Sequence, residues 1–279
     1  MGLRSAYLLL VFVAFYFVLA SQKSTRPIYS FFRKRLRKNR LQSLWSVYRT
    51  YYCFGQALID RTAVLAGLGD KFSYNFDGEH HIKSIATAGK GGVLISAHAG
   101  NWAMAGNRLD KNMPENTAVN IVMMSDEHQK IQAFLDKTQV KQSAKIIAIG
   151  DDFSHIIKMG IALRGGELIC MHGDRYMPGA ATVIVDFLGE KVHLPAGPFN
   201  LILRMKVPYT VVYAFKESSY HYHFYSTPPL HRSSSIEEAA QYFATSLEEK
   251  IRKYPYQWYN FYDFWATPAS STTAKKLNR

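Results

Sequence analysis

The stretch GGVLISAHAGNWAMAG, Gly91–Gly106, decides the fold class. Gly91–Ala97 is a short apolar run that opens on two glycines, the pattern of a strand buried on both faces. His98 ends that run, and the small residues Ala99 and Gly100 follow it. Asn101 then opens a segment whose pattern predicts a helix over Asn101–Leu109. Strand, tight turn and helix in this order are the unit of an α/β protein, and ligands bind such folds at the carboxyl ends of the strands. His98 is therefore a candidate general base, with room beside it for a substrate. Asn101 can cap the helix and aim its first amides at a developing anion. The competing structural reading is a strand-end histidine that only bonds to backbone. The fifth position after His98, where a carboxylate would orient the ring, is Ala103.

The same alternation extends outward. Strand-like runs are AVNIVMM from Ala118, KIIAI from Lys145, ELICMH from Glu167, ATVIVDFL from Ala181 and PYTVVYAF from Pro208. Helix-like stretches are His128–Asp136, Ser154–Arg164 and Pro198–Met205. Leu41–Leu68 carries apolar residues at helical spacing and ends at Gly67 and Gly69. A late helix opens on a capping box from Ser235 to Glu238. The sum predicts an α/β fold with a mainly parallel mixed sheet covered by helices on both faces. A second strand end, HGDR at His172–Arg175, can converge with His98 on one crevice. Asp174 and Arg175 read equally as a turn-fixing ion pair or as an arginine for a phosphate or oxyanion.

The chain has 279 residues and a net charge of +13; 48% of its residues are apolar and charged residues alternate with apolar runs throughout, which excludes a disordered chain. Its two cysteines, Cys53 and Cys170, form no C-x-x-C pair; this argues against a disulfide framework and fits a reducing compartment. Ala6–Ala20 is uninterrupted apolar sequence, close to the roughly 20 residues that span a bilayer. A cleaved signal peptide is the competing reading. The basic run RPIYSFFRKRLRKNR, Arg26–Arg40, favours a retained anchor with the main domain on the cytoplasmic side. The expected divisions are an anchor over residues 1–22, a basic interfacial and helical segment over 23–68, an α/β domain over 69–267 and a polar tail over 268–279. G-x-S-x-G, Walker and G-x-G-x-x-G motifs are absent, and no Cys/His cluster at metal-ligand spacing appears, so no metal and no cofactor are expected. The pair His80-His81 is expected at the surface, and His221 and His223 on a solvent-facing strand edge. No recognition motif accompanies the basic charge, so nucleic acid is not an expected partner.

Three ordered blocks carry a resemblance. ISAHAGNWAMAG resembles the H-x-x-x-x-[DE] block of the lysophospholipid acyltransferase superfamily, in the lipid A lauroyl/myristoyl branch. Gly173–Phe215 resembles that branch's second block, with an Asp-Arg pair, an FLG hairpin and a P-x-G-P helix start. YPYQWYNFYDFW, Tyr254–Trp265, resembles its C-terminal signature, and FGQALIDR, Phe54–Arg61, also fits. The resemblance spans Leu3–Trp265. It implies a membrane-associated acyltransferase that moves an acyl chain from an acyl carrier protein or coenzyme A thioester to a hydroxyl or amine of a lipid or glycolipid. Its place would be the cytoplasmic side of a bacterial inner membrane. It implies His98 as base and substrate contacts at Gly100, Asn101, Trp102 and Arg175. The motif acid falls on Ala103. Asp174 is then the foremost substitute; the other readings are a slow enzyme, or an inactive lipid-binding relative.

Overall fold

The computed structural model describes residues 2–104, 117–124, 145–150, 152 and 154–266. Three helices lead: α1 (Leu3–Ala20), α2 (Gln22–Ser30) and α3 (Arg40–Ala63). Asn39 caps α3 through a capping box: the Gln42 amide donates to Asn39 Oδ1 at 2.9 Å, and the Asn39 amide to Gln42 Oε1 at 3.1 Å. The helix runs into one wide turn that ends at Gly67, whose φ of 81° suits glycine.

A seven-stranded sheet follows. Its strands are β1 (Ser73–Asp77), β2 (Gly92–Ser96), β3 (Val119–Met124), β4 (Lys145–Ile149), β5 (Leu168–His172), β8 (Tyr209–Ser218) and β9 (His221–Ser226). Their order is β1-β9-β8-β2-β5-β3-β4, and every pair is parallel except β8 with β9. The fold class is the expected one. Strand β2 lies at the centre and is buried along its whole length, as its unbroken apolar run requires.

Helices cover both faces. α4 (Glu79–Thr87) packs Ile82 and Ile85 onto Leu94 and Leu168. Val93, Ile95 and Ile169 point the other way, into the main core with α5 (Ser154–Arg164), α6 (Ala196–Met205) and α7 (Ile236–Lys253). Ala14 of α1, Ile28 and Phe32 from the basic run, and Val47 of α3 belong to that same core. The hairpin β6 (Thr182–Phe187) and β7 (Glu190–Pro195) stands apart from the sheet and presents Val183, Val185 and Phe187 to the core. Its two-residue loop, Leu188-Gly189, has φ of 51° and 85°, the primed turn that matches strand twist and explains the FLG triplet.

Strand β1 escaped the sequence pattern, β7 was implied only by the FLG hairpin, and β9 was expected as an edge. Consequently His221 and His223 are not on an edge, because β1 pairs outside β9. His223 is largely covered and sits between Asp77 at 3.1 Å and Glu217 at 3.3 Å. His80 is exposed, and His81 is half-buried with Nδ1 3.1 Å from the Ser226 carbonyl. The helices expected at 101–109 and 128–136 fall largely or wholly outside the described residues; Trp102–Met104 are helical.

Candidate active site

Register brings the site together. Ser96 and His172 are partners at the carboxyl ends of β2 and β5. His98 and Asp174 each lie two residues further on, and the Gly173 amide extends the ladder to the Ser96 carbonyl at 2.8 Å. Asp174 accepts twice from His98: Oδ1 is 2.8 Å from ring Nδ1, and Oδ2 is 3.0 Å from the backbone amide. The Asp174 side chain is 2% exposed and that of His98 31%, so the carboxylate is the buried anchor and the imidazole the accessible group. Burial alone would raise the Asp174 pKa. The charge and hydrogen bond of His98, with His172 and Arg175 behind them, outweigh it and hold the carboxyl well below the usual range. An ionised carboxylate only accepts, so Nδ1 carries the hydrogen and Nε2 presents a lone pair.

The turn after His98 is pinned by residues distant in sequence. The Tyr259 amide donates to the His98 carbonyl at 2.9 Å. The Gly100 amide donates to Gln257 O, and the Asn101 amide to Ala214 O, each at 2.7 Å. Gly100 has φ of 70°, and a Cβ there would stand 2.1 Å from Ala214 O, so only glycine fits. The Gly100 and Asn101 amides are therefore engaged by carbonyls of the protein itself. The Asn101 side chain also turns inward, donating to the Ala57 carbonyl at 2.9 Å and Tyr222 Oη at 3.3 Å. Trp102 is half-buried, edge-on to His172 at 5.8 Å and beneath the Arg61 guanidinium at 5.5 Å. Arg175 is exposed; one of its nitrogens donates to the Tyr259 carbonyl at 2.5 Å. Ala103 is half-buried in the first helical turn.

His98, Trp102, His172 and Arg175 line a cavity of about 1450 Å³. Its remaining wall is mostly apolar, including Met123 of β3, Met159 of α5 and Leu201 of α6, with Arg164 and Arg204 as further cations. His98, His172 and Asp174 offer ligand atoms within 4.8 Å of one another. Both Asp174 oxygens accept from His98, one from the ring and one from the backbone amide.

The model of the bacterial lipid A biosynthesis acyltransferase family matches residues 29–267. The chain belongs to this family. It is also similar to phosphatidylinositol mannoside acyltransferases: 23% identical over 201 residues to that of Mycobacterium tuberculosis, and 26% over 199 residues to that of Mycolicibacterium smegmatis. These matches cover 72% and 71% of the chain, and 62% and 64% of the relatives' lengths, so the chain spans less than two thirds of each. Within the acyltransferase family chain, the C-terminal block Tyr254–Trp265 acts as a clasp on the His98 turn through Gln257 and Tyr259. Its aromatic content was legible in the sequence, but its bonds are backbone-to-backbone and leave no residue-type signature. His172 and Gln257 are the site residues that motif reasoning ranked too low.

Proposed function

We propose that this protein transfers a fatty acyl chain from a thioester to a hydroxyl or amine of a membrane lipid or glycolipid. The observation that carries the reading is the buried Asp174 carboxylate that orients His98 at the wall of a large apolar cavity. The acceptor oxygen or nitrogen attacks the acyl carbon while its proton passes to His98 Nε2. The carbonyl π pair moves onto oxygen. As the carbonyl re-forms, the C–S bond breaks and the leaving thiolate takes the proton from His98. Asp174 steadies the imidazolium meanwhile, and the apolar wall holds the acyl chain. The names of the mycobacterial relatives support a glycolipid acceptor, and the exposed Arg175 is suited to a phosphate of donor or acceptor.

The donor is a thioester of acyl carrier protein or coenzyme A, and the excess of +13 favours the acidic carrier. The exposed apolar face of α1 and the basic run hold the protein on the cytoplasmic surface of the inner membrane. The Asp174 carboxylate on His98 supports the active reading over the inactive one based on Ala103. The test is incubation of the full chain in detergent with radiolabelled acyl thioesters and a total lipid extract. A new labelled lipid is expected, reduced about 10²- to 10⁴-fold by His98→Ala. Retained transfer in His98→Ala, or lipid binding without transfer in the unaltered chain, overturns the proposal.

A further inference from the structure

The oxyanion of an acyl transfer needs a hydrogen-bond donor in place before the charge develops. The amides of Gly100 and Asn101 are engaged by Gln257 and Ala214, so neither can serve. Two polar side chains of the cavity wall remain near His98, Arg175 and His172, and Arg175 already donates to the Tyr259 carbonyl. The His172 ring centroid lies 4.3 Å from that of His98, with the planes inclined by 31°. Its side chain lines the cavity, and Trp102 packs edge-on against it. Its Nδ1 is shut off from solvent and has no hydrogen-bond partner among the described residues. Nδ1 is therefore out of reach of a ligand, and the ring nitrogen that faces the cavity is Nε2.

Resting on the acyl-transfer reading, we infer that His172 is a catalytic residue: a neutral imidazole that hydrogen-bonds the thioester carbonyl oxygen and stabilises the oxyanion formed there. Burial first, and the neighbouring His98 second, push its pKa down to about 3. It therefore stays uncharged across the working range, and a neutral imidazole held in this way is an effective electrophile for a carbonyl. A protonated His172 would instead oppose the positive charge that His98 must acquire. In the step, His98 takes the acceptor's proton, and His172 keeps its own while its N–H donates to the developing oxyanion as the C–O bond lengthens. No atom of His172 is transferred.

The isosteric pair His172→Leu and His172→Asn tests this in the full chain, with His172→Gln covering the second ring nitrogen. With palmitoyl thioesters of both donors, His172→Leu should lower kcat about 10²- to 10³-fold. Its donor KM should stay within about threefold, and the better amide variant should keep kcat within about tenfold of the original. Equal impairment of leucine and both amides, or a rise in KM at unchanged kcat, overturns the assignment as a packing effect. A second measurement needs no turnover. A carbonyl-13C palmitoyl thioester bound to His98→Ala should show a lowered carbonyl stretch in isotope-edited infrared spectra, and His98→Ala/His172→Leu should lose that lowering. Identical stretches overturn the inference. Transfer at full rate by His172→Leu sinks this inference alone, whereas an unaltered chain that neither binds nor transfers a thioester sinks the acyl-transfer reading and this one with it.

Discussion

At the scale of single residues, Asp174 stands at the His98 ring where Ala103 offers no carboxylate. One imidazole Nδ1–H needs one acceptor, and Asp174 Oδ1 already takes it at 2.8 Å. Ala103→Glu should therefore give no gain, with acyl-transfer kcat unchanged within about threefold or lower. Asp174→Asn should cost up to about 10⁴-fold, the scale seen when an orienting carboxylate of a catalytic histidine is made neutral. In the Asp174→Asn background, Ala103→Glu should recover at least about tenfold. A tenfold gain from Ala103→Glu alone would show that Asp174 does not hold the ring in the working enzyme. The pH dependence of stability follows from the two depressed groups. His172 titrates near 6.5 when unfolded and near 3 when folded, so the unfolded chain binds the extra proton as pH falls. Its contribution is complete above about 6.5 and is lost progressively down to about 3. Asp174, also depressed, adds a second loss that begins below the ordinary carboxylate pKa of about 3.9. Urea midpoints measured from pH 7 to pH 4 should decline, and His172→Leu should flatten that decline.

At the scale of elements, a buried polar network ties α1 to the motif turn. Asp60 of α3 and Lys216 of β8 form an ion pair, with Asp60 fully covered and the Lys216 side chain 9% exposed. Tyr7 of α1 and Tyr222 of β9 both donate to the same carboxylate, and Tyr222 Oη accepts from Asn101 beside the turn. Burial lowers the Lys216 pKa, and Asp60 works against that loss. Removing one partner strands a buried charge, so Asp60→Asn should destabilise the chain by about 3–5 kcal/mol. Replacing both partners, Asp60→Asn with Lys216→Met, should be milder than Asp60→Asn alone, because no unpaired ammonium remains. Chemical denaturation of the three proteins decides this, and a double variant no more stable than Asp60→Asn refutes it. The same network gives the FGQALIDR segment its role: Ala57 and Asp60 hold Asn101 and Tyr222 in place.

At the scale of the whole molecule, α1 is a two-sided helix. Tyr7, Leu10 and Ala14 face the protein, whereas Leu8, Phe12, Phe15 and Leu19 are exposed. It is long and apolar enough to cross a membrane. The basic run divides likewise. Arg35 pairs with Glu190 and lies over the Trp265 ring, and Lys38 donates to Tyr256 Oη at 3.1 Å, so these two are structural. Lys34, Arg37 and Arg40 remain exposed and available to anionic headgroups. Each exposed cation near such a surface contributes about 1 kcal/mol. Changing these three to glutamine should weaken sedimentation with phosphatidylglycerol vesicles about 100-fold at low salt, with little effect on neutral vesicles. An equal loss on both kinds of vesicle would mean that the apolar face of α1 alone sets the affinity.

The sequence by itself determined the fold class and most of its elements. The β2 and β5 runs, the span of α5 and the Ser235 cap of α7 are local patterns, set by side-chain periodicity and backbone capping over a few residues. His98 was legible for the same reason, as a polar residue at the end of an apolar run. β9 was not placed correctly, because alternating tyrosine and histidine looks like an edge until β1 pairs outside it. Only the tertiary structure decided what His98 touches. Asp174 lies 76 residues away, and the two meet because β2 and β5 are neighbours in register. The same packing covers the Gly100 and Asn101 amides with carbonyls from β8 and the C-terminal clasp, and sets the His172 ring beside that of His98 on the cavity wall. Strand order is chosen by the burial of whole faces against one another, a long-range free energy that no local pattern encodes.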